Sequence, residues 1–94
     1  MKGLPSIELL ESTHSFPCHY TYKVFGAHSD ELISVVCVAA EQVAGMSSYV
    51  RYTYRQSSGG VHGCVTLEVY MQTAHQVQAL YVELGSLSVV RMLM

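Results

Sequence analysis

Along this chain of 94 residues, segments whose apolar residues recur every second position alternate with segments whose apolar residues recur at helical spacing. Residues 19–25, 49–55 and 64–70 alternate between their two faces, with aromatic and β-branched side chains, which is typical of half-buried strands. Residues 89–94 form a shorter, mostly apolar strand at the end of the chain. The order of these segments restricts the folds that the chain can adopt, because few arrangements satisfy the rules for strand connections.

Two further segments, which lie between strands, are predicted to be helices. Ser29 is a suitable N-cap for the first helix, and Gly45 is a suitable end. Residues 73–76 fit a capping box that begins the second helix, and Gly85 stands where a C′ glycine would end it. The apolar residues recur at helical intervals: Leu32, Val36, Ala39 and Val43 in the first helix, and Val77, Leu80, Tyr81 and Leu84 in the second.

The order strand, helix, strand, strand, helix, strand predicts an α+β domain with a ferredoxin-like βαββαβ sandwich. Its four-stranded antiparallel sheet has the order 4-1-3-2, with both helices on one face. The predicted domain covers residues 16–94. Residues 1–15 are predicted to be a leader without a clear element, flexible or packed on the domain edge through Ile7, Leu9 and Leu10.

Composition favours a folded chain in a reducing compartment. Hydrophobic residues make up 50% of the chain and charged residues 13%, which is typical of a globular domain. Cys18, Cys37 and Cys64 are odd in number and far apart, so we expect no disulfide and a cytoplasmic location. The longest apolar run, residues 35–40, is far shorter than the roughly 20 residues of a membrane span, and no secretory signal is expected. We therefore expect no membrane partner.

The sheet surface opposite the helices, here called the open face, is predicted to be basic. It carries Lys23, Arg51, Arg55 and Arg91, which are four of the five basic residues, and one acid, Glu68, so that its charge is about +3. These four side chains are candidate binding residues for an acidic protein partner or a small anion. The alternative is a solvated face on which Lys23 and Glu68 pair across neighbouring strands.

A nucleic-acid-binding module that uses the same face is the alternative function. RNA-recognition modules of this topology stack bases on aromatic side chains of the two central strands. Here Phe25 and Tyr70 lie at the ends of those strands, and Glu68 occupies the middle of one of them. The net charge of -2 also weighs against a general nucleic-acid binder, so nucleic acid is not the expected partner.

The hairpin formed by Ser57, Ser58, Gly59 and Gly60 is a second candidate binding site. Its residues are typical of a turn, and their backbone N–H groups could hold an anion, but the composition favours a flexible hairpin over an anion site. The segment lacks the lysine and the following helix of a phosphate-binding loop.

Catalytic and metal-binding patterns are not found. No Ser/His/Asp arrangement has a supporting context, and Cys18 has no predicted neighbour that would lower its pKa. His28, His62 and Cys64 could approach one another, but no close spacing fixes them as zinc ligands. We therefore expect no enzyme activity, no cofactor and no metal.

The last strand is predicted to form an edge of the sheet. Residues 89–94 are apolar on both faces except for Arg91, and contain no proline. Such an edge can pair with a strand of another chain, which predicts a homodimer through the C-terminal edge strand unless the leader covers it.

Several short motifs resemble the YbeD family of small bacterial proteins over residues 16–94. The motifs are Phe16-Pro17-Cys18, Tyr22-Lys23-Val24 with Gly26, Ser57-Ser58 with Gly60, Leu80-Tyr81-x-Glu83-Leu84-Gly85, and Val90-Arg91-Met92. The resemblance implies a ferredoxin-like fold similar to ACT regulatory domains, and a regulatory role linked to lipoate metabolism. The chain departs from the family pattern in the hairpin, at Gly59, Val61 and His62, so the resemblance implies no binding role for these three positions.

The predicted function is therefore that of a small non-catalytic regulatory or protein-interaction module of ACT-like type.

Overall fold

The computed structural model describes residues 4–27, 30–45, 50–56, 59–60 and 62–94. The elements are helix α1 (Ile7–Thr13), strand β1 (Cys18–Ala27), helix α2 (Asp30–Ala44), strands β2 (Val50–Gln56) and β3 (His62–Met71), helix α3 (Ala74–Gly85) and strand β4 (Val90–Leu93). The strands form one antiparallel sheet in the order β2-β3-β1-β4. The predicted α+β class, ferredoxin-like topology and strand order are confirmed.

The core lies between one face of the sheet and the helices, as alternation in the strands predicts. Tyr22 and Val24 of β1 and Val65, Leu67 and Val69 of β3 are fully buried. They pack in one cluster with the apolar faces of α2 and α3, which contribute Leu32, Val36, Ala39, Ala40, Val77, Leu80, Tyr81 and Leu84. The opposite side chains of the same strands form the open face.

The ends of α2 and α3 follow the sequence in part. Gly45 follows α2 with a φ of 93°, in the left-handed region that favours glycine. Thr73 caps α3 by accepting a hydrogen bond from the Gln76 N–H at 3.2 Å. The prediction that Gly85 is a C′ glycine is wrong, because α3 continues through Gly85 and Ser86 is the C-cap, whose N–H bonds to carbonyls of the last turn. The predicted N-cap Ser29 lies outside the described residues.

The leader contains a helix that the sequence analysis did not assign. The side chain of Ser6 caps α1 by accepting from the Leu9 N–H at 3.1 Å. Leu10 is buried in the core, while Leu9, expected to pack, is 54% exposed. The side-chain amide of Gln78 on α3 donates to the carbonyl of Pro5 at 2.7 Å, which holds the leader against α3. A seven-residue helix with one buried apolar residue is too short to produce a periodic signal.

The pairing of β4 with β1 contains an irregularity that decides which β4 side chains reach the open face. Phe25 pairs with Met92, but Gly26 pairs with Val90, so that Arg91 is the extra residue of a bulge. Gly26 is required there: a Cβ atom on it would collide with the carbonyl oxygen of Val89.

Candidate functional site

The register of the four strands arranges the open face in rows that run across the sheet. Residues paired across antiparallel strands project from the same face, so each row can be followed from β2 through β3 and β1 to β4. One row contains Thr53, Thr66, Lys23 and Met94, and the next contains Arg55, Cys64, Phe25 and Met92. Two of the four predicted basic residues, Lys23 on β1 and Arg55 on β2, thus stand in adjacent rows with β3 between their strands.

A shallow depression of about 520 Å³ lies between these two basic residues, and we call it the basic depression. Lys23 borders it on β1 and Arg55 on β2. The remaining lining residues are Phe25, Thr53, Tyr54, Cys64 and Thr66. Two cationic groups and two threonine hydroxyls around one depression can bind an anionic group through charge-assisted hydrogen bonds.

A second, smaller depression of about 290 Å³ adjoins the first along Phe25, and we call it the apolar depression. Phe25, Gly26 and Met92 give it an apolar lining, and His62 and Arg91 also line it. The bulge brings Arg91 here: simple alternation along β4 could not place Arg91 and Met92 beside the same depression.

The only acid of the open face is paired with Arg51. The Arg51 guanidinium lies 2.6 Å from the Glu68 carboxylate, because β2 places Arg51 directly opposite Glu68. Lys23 stands opposite Thr66 instead, so the alternative pairing of Lys23 with Glu68 is wrong. Within the part of the chain that the structure describes, Lys23, Arg55 and Arg91 make no ion pair.

Charge is divided between the two layers of the domain. Six of the seven acidic residues belong to helices: Glu8, Glu11, Asp30, Glu31, Glu41 and Glu83. The open face holds four of the five basic residues together with Glu68. The molecule is therefore polarised, with a positive sheet surface and a negative helical layer, which favours the approach of anions to the sheet.

The outward aromatic side chains of the central strands do not form a stacking platform. The rings of His19 and Tyr70 pack against each other, with centroids 5.0 Å apart. Phe25 lies at the other end of β1, and the Arg51–Glu68 pair stands on the rows between. Neither ring group is arranged like the adjacent aromatic residues on which RNA-recognition modules stack bases.

The hairpin candidate is described only in part. Ser57 and Ser58 lie outside the described residues, Gly59 is exposed, and Gly60 has a φ of 71°. The left-handed conformation of Gly60 fits a tight turn. This conformation does not test whether the hairpin binds an anion, so the predicted anion site stays a prediction.

Two thiols and a tyrosine hydroxyl away from the open face have raised pKa values and stay protonated. Burial raises the pKa of the Cys18 thiol, and burial together with the nearby Glu41 carboxylate raises the pKa of Cys37. Burial likewise raises the pKa of Tyr22, whose hydroxyl donates to the Val77 carbonyl at 2.9 Å. Cys18 and Tyr22 face the helical layer and Cys37 lies on α2, so none of the three groups lies on the open face.

No metal-binding cluster of three His, Cys, Asp or Glu side chains occurs among the described residues, which leave out the zinc candidate His28. None of the described helices is long and apolar enough to cross a membrane.

Sequence reasoning missed several residues of the two depressions. Thr53 alternates in phase with Arg51 and Arg55 on β2, and Thr66 alternates in phase with Glu68 on β3, so the sequence contained a signal for both. Met92 could not be assigned, because the bulge at Arg91 reverses the alternation on which the assignment depends.

Solved structures place the fold in a known class. The solution structure of a protein from H. pylori superposes with a TM-score of 0.74 at 12% identity, over 86% of this chain and 85% of that chain. The ACT domain from the GTP pyrophosphokinase of Chlorobium tepidum superposes with a TM-score of 0.61 at 9% identity, over 81% and 94% of the two chains. The protein is a small domain with an ACT-like, ferredoxin-type fold.

Within that class, the chain belongs to the family described as "Protein of unknown function (DUF493)", which matches residues 11–94. It is 32% identical over its full length to the UPF0250 protein of Haemophilus ducreyi, covering 94% of that protein. It is 36% identical to a UPF0250 protein of Pasteurella multocida, over 90% of this chain and 94% of the relative. The resemblance to the YbeD family is thereby confirmed, while the family description assigns no activity.

Proposed function

We propose that the protein is a non-catalytic regulatory module that acts by binding an anionic group of a ligand or protein partner on the open face. The observation that carries this proposal is the position of Lys23, Arg55 and Arg91 around two adjoining depressions, without an ion-pair partner among the described residues. Unpaired cations beside a concave surface favour the binding of an anion from solution, because no acidic side chain offsets their positive charge.

A binding role rather than a catalytic one is supported by the chemistry of the open face. The basic depression offers two cations and two threonine hydroxyls, a set of donors that suits the binding of an anion, beside the Cys64 thiol. The ACT-like fold of the solved neighbours is compatible with a regulatory domain. The three free thiols support a reducing, cytoplasmic setting.

We also propose that β4 pairs with a second copy of the chain. Lys23 and Met94 exchange two backbone hydrogen bonds of 2.8 Å, so the next residue inward, Leu93, directs its N–H and C=O away from β1. Pairing of two such edges would form a continuous eight-stranded sheet across a twofold axis, counting four strands from each copy.

Affinity capture from a bacterial lysate tests the binding role with variants of equal net charge. Lys23→Gln/Arg55→Gln removes two positive charges at the basic depression. Gln42→Glu/Ala79→Glu makes the same change of -2 on exposed positions of the helices. We expect a partner that is retained by the wild type and by the helix variant, but not by the depression variant.

Equal retention by both variants would contradict the proposed role of the open face. Identification of the retained partner also tests the link to lipoate metabolism that the family resemblance implies. RNA in the captured material, with binding that falls steeply with salt, would instead favour the nucleic-acid module.

A further inference from the structure

Phe25 is the common wall of two depressions with different chemistry. On one side the basic depression is bordered by Lys23 and Arg55. On the other side the apolar depression is lined by Gly26 and Met92. A molecule that spans Phe25 would therefore meet cations at one end and apolar side chains at the other.

The basic depression is built for a compact anionic group. Lys23 and Arg55 are two strands apart, which corresponds to about 10 Å across the sheet, so their long side chains can approach one group from opposite sides. Thr66 and Thr53 lie in the Lys23 row and supply hydroxyl donors to the same space. A carboxylate or phosphate fits this arrangement of donors.

The apolar depression fits the body of the same ligand. Met92 is 57% exposed and lies directly opposite Phe25 in the register, although it is a large apolar side chain. Gly26 has no side chain to fill the space next to it. A flexible thioether beside an aromatic ring adapts to apolar ligands of different shape.

From these contacts we infer that the open face binds a small amphipathic acid, with its anionic group between Lys23 and Arg55 and its apolar body across Phe25 toward Met92. The inference rests on the proposed function and names the class of ligand. The basic depression falls within the range of roughly 300–1,000 Å³ that small-molecule sites occupy, and the apolar depression adjoins it.

A titration of the full chain with three probes, followed by amide chemical shifts, tests the inference. The probes are 1-naphthaleneacetate, its neutral amide 1-naphthaleneacetamide, and acetate. We expect the acid to shift amides near Phe25, Cys64 and Met92, with an affinity about tenfold above that of the amide, because the charged head makes charge-assisted hydrogen bonds. Acetate, which lacks the apolar body, should bind more weakly than the naphthalene acid.

Three single variants locate the two ends of the ligand. Arg55→Gln should weaken binding of the acid about tenfold and leave binding of the amide unchanged. Met92→Gln should weaken both probes several-fold. The control Arg51→Gln makes the same charge change on the same face, but at the residue paired with Glu68 and outside both depressions, and should leave both affinities unchanged.

Three results would each overturn the inference. The acid and the amide could bind with equal affinity, or Arg55→Gln and Arg51→Gln could weaken binding equally. The third is the absence of amide shifts near Phe25 at about 10 mM probe. If capture still depends on Lys23 and Arg55 while the probes fail to bind, the proposed function stands and the small acid is excluded. If the probes bind as expected while capture ignores both residues, the small-acid site stands and docking of a protein partner is excluded.

Discussion

Replacing Gly26 by alanine tests how β4 is held against the rest of the domain. In the structure an added Cβ atom would collide with the backbone carbonyl oxygen of Val89 and lie 2.9 Å from Cδ1 of Leu32. A side chain such as Leu32 can rotate away, but a carbonyl can move only if the start of β4 moves with it. We therefore expect the cost of overpacking to reach the upper end of its usual range, about 3 kcal/mol.

The net loss of stability is smaller than this cost, because a Gly→Ala change also restricts the unfolded chain. That effect is worth about 0.4–1 kcal/mol in favour of the variant, which leaves a destabilisation of about 2 kcal/mol. For a domain of this size, about 2 kcal/mol corresponds to a decrease in Tm of roughly 8–16 °C. Urea unfolding and thermal melting, both followed by circular dichroism, measure the two quantities.

Gly59→Ala is the matched control for this change. Gly59 is exposed, and among the described residues no atom lies within 4 Å of a Cβ added to it. We expect the control to be as stable as the wild type or slightly more stable. If Gly26→Ala melted together with Gly59→Ala, the close approach of Val89 to β1 would be refuted. Hydrogen exchange gives a second readout, because the Met94 N–H that donates to the Lys23 carbonyl should exchange faster once β4 is displaced.

Three further predictions concern the core, the open face and the effect of pH. Leu67→Asp should abolish folding, because it buries an unpaired charge, whereas Thr66→Asp on the opposite face should fold; circular dichroism of both variants decides whether β3 is assigned to the correct faces. Arg51→Gln should lower the free energy of unfolding by less than about 1 kcal/mol in urea titrations, because its pair is solvent-exposed; a loss of several kcal/mol would contradict an exposed open face. Burial raises the pKa of Tyr22 and of Tyr81 above 10, so the native state keeps both protonated while the unfolded chain ionises, and stability should fall as pH rises above about 10. Tyr22→Phe/Tyr81→Phe should reduce that fall in urea titrations at pH 8 to 11, and an unchanged fall would show that these two hydroxyls do not cause it.

Local patterns predicted most of the fold, since each pattern records a burial requirement that the chain carries by itself. Alternation in residues 64–70 identified the buried side of β3, because any one-residue slip would expose Val65, Leu67 and Val69. The capping residues of α3 lie three positions apart in the sequence, so the Thr73–Gln76 bond could be predicted without tertiary information. The short helix α1 was missed because, apart from its Ser6 cap, the contacts that place it are tertiary: Leu10 is buried in the core, and the Gln78 side chain donates to the Pro5 carbonyl.

The class of fold and the positive sign of the open face follow from local sequence, because Lys23 alternates with the buried Tyr22 and Val24 on β1, and Arg51 and Arg55 alternate with tyrosines on β2. The charge pairing and the shape of the candidate site depend instead on how the strands pair in the folded sheet. Glu68 bonds to Arg51 and leaves Lys23 available because of the register between β2 and β3, which no single strand encodes. The bulge opposite Gly26 places Arg91 and Met92 on the same depression, since the strand must depart from alternation where β4 passes close to that glycine.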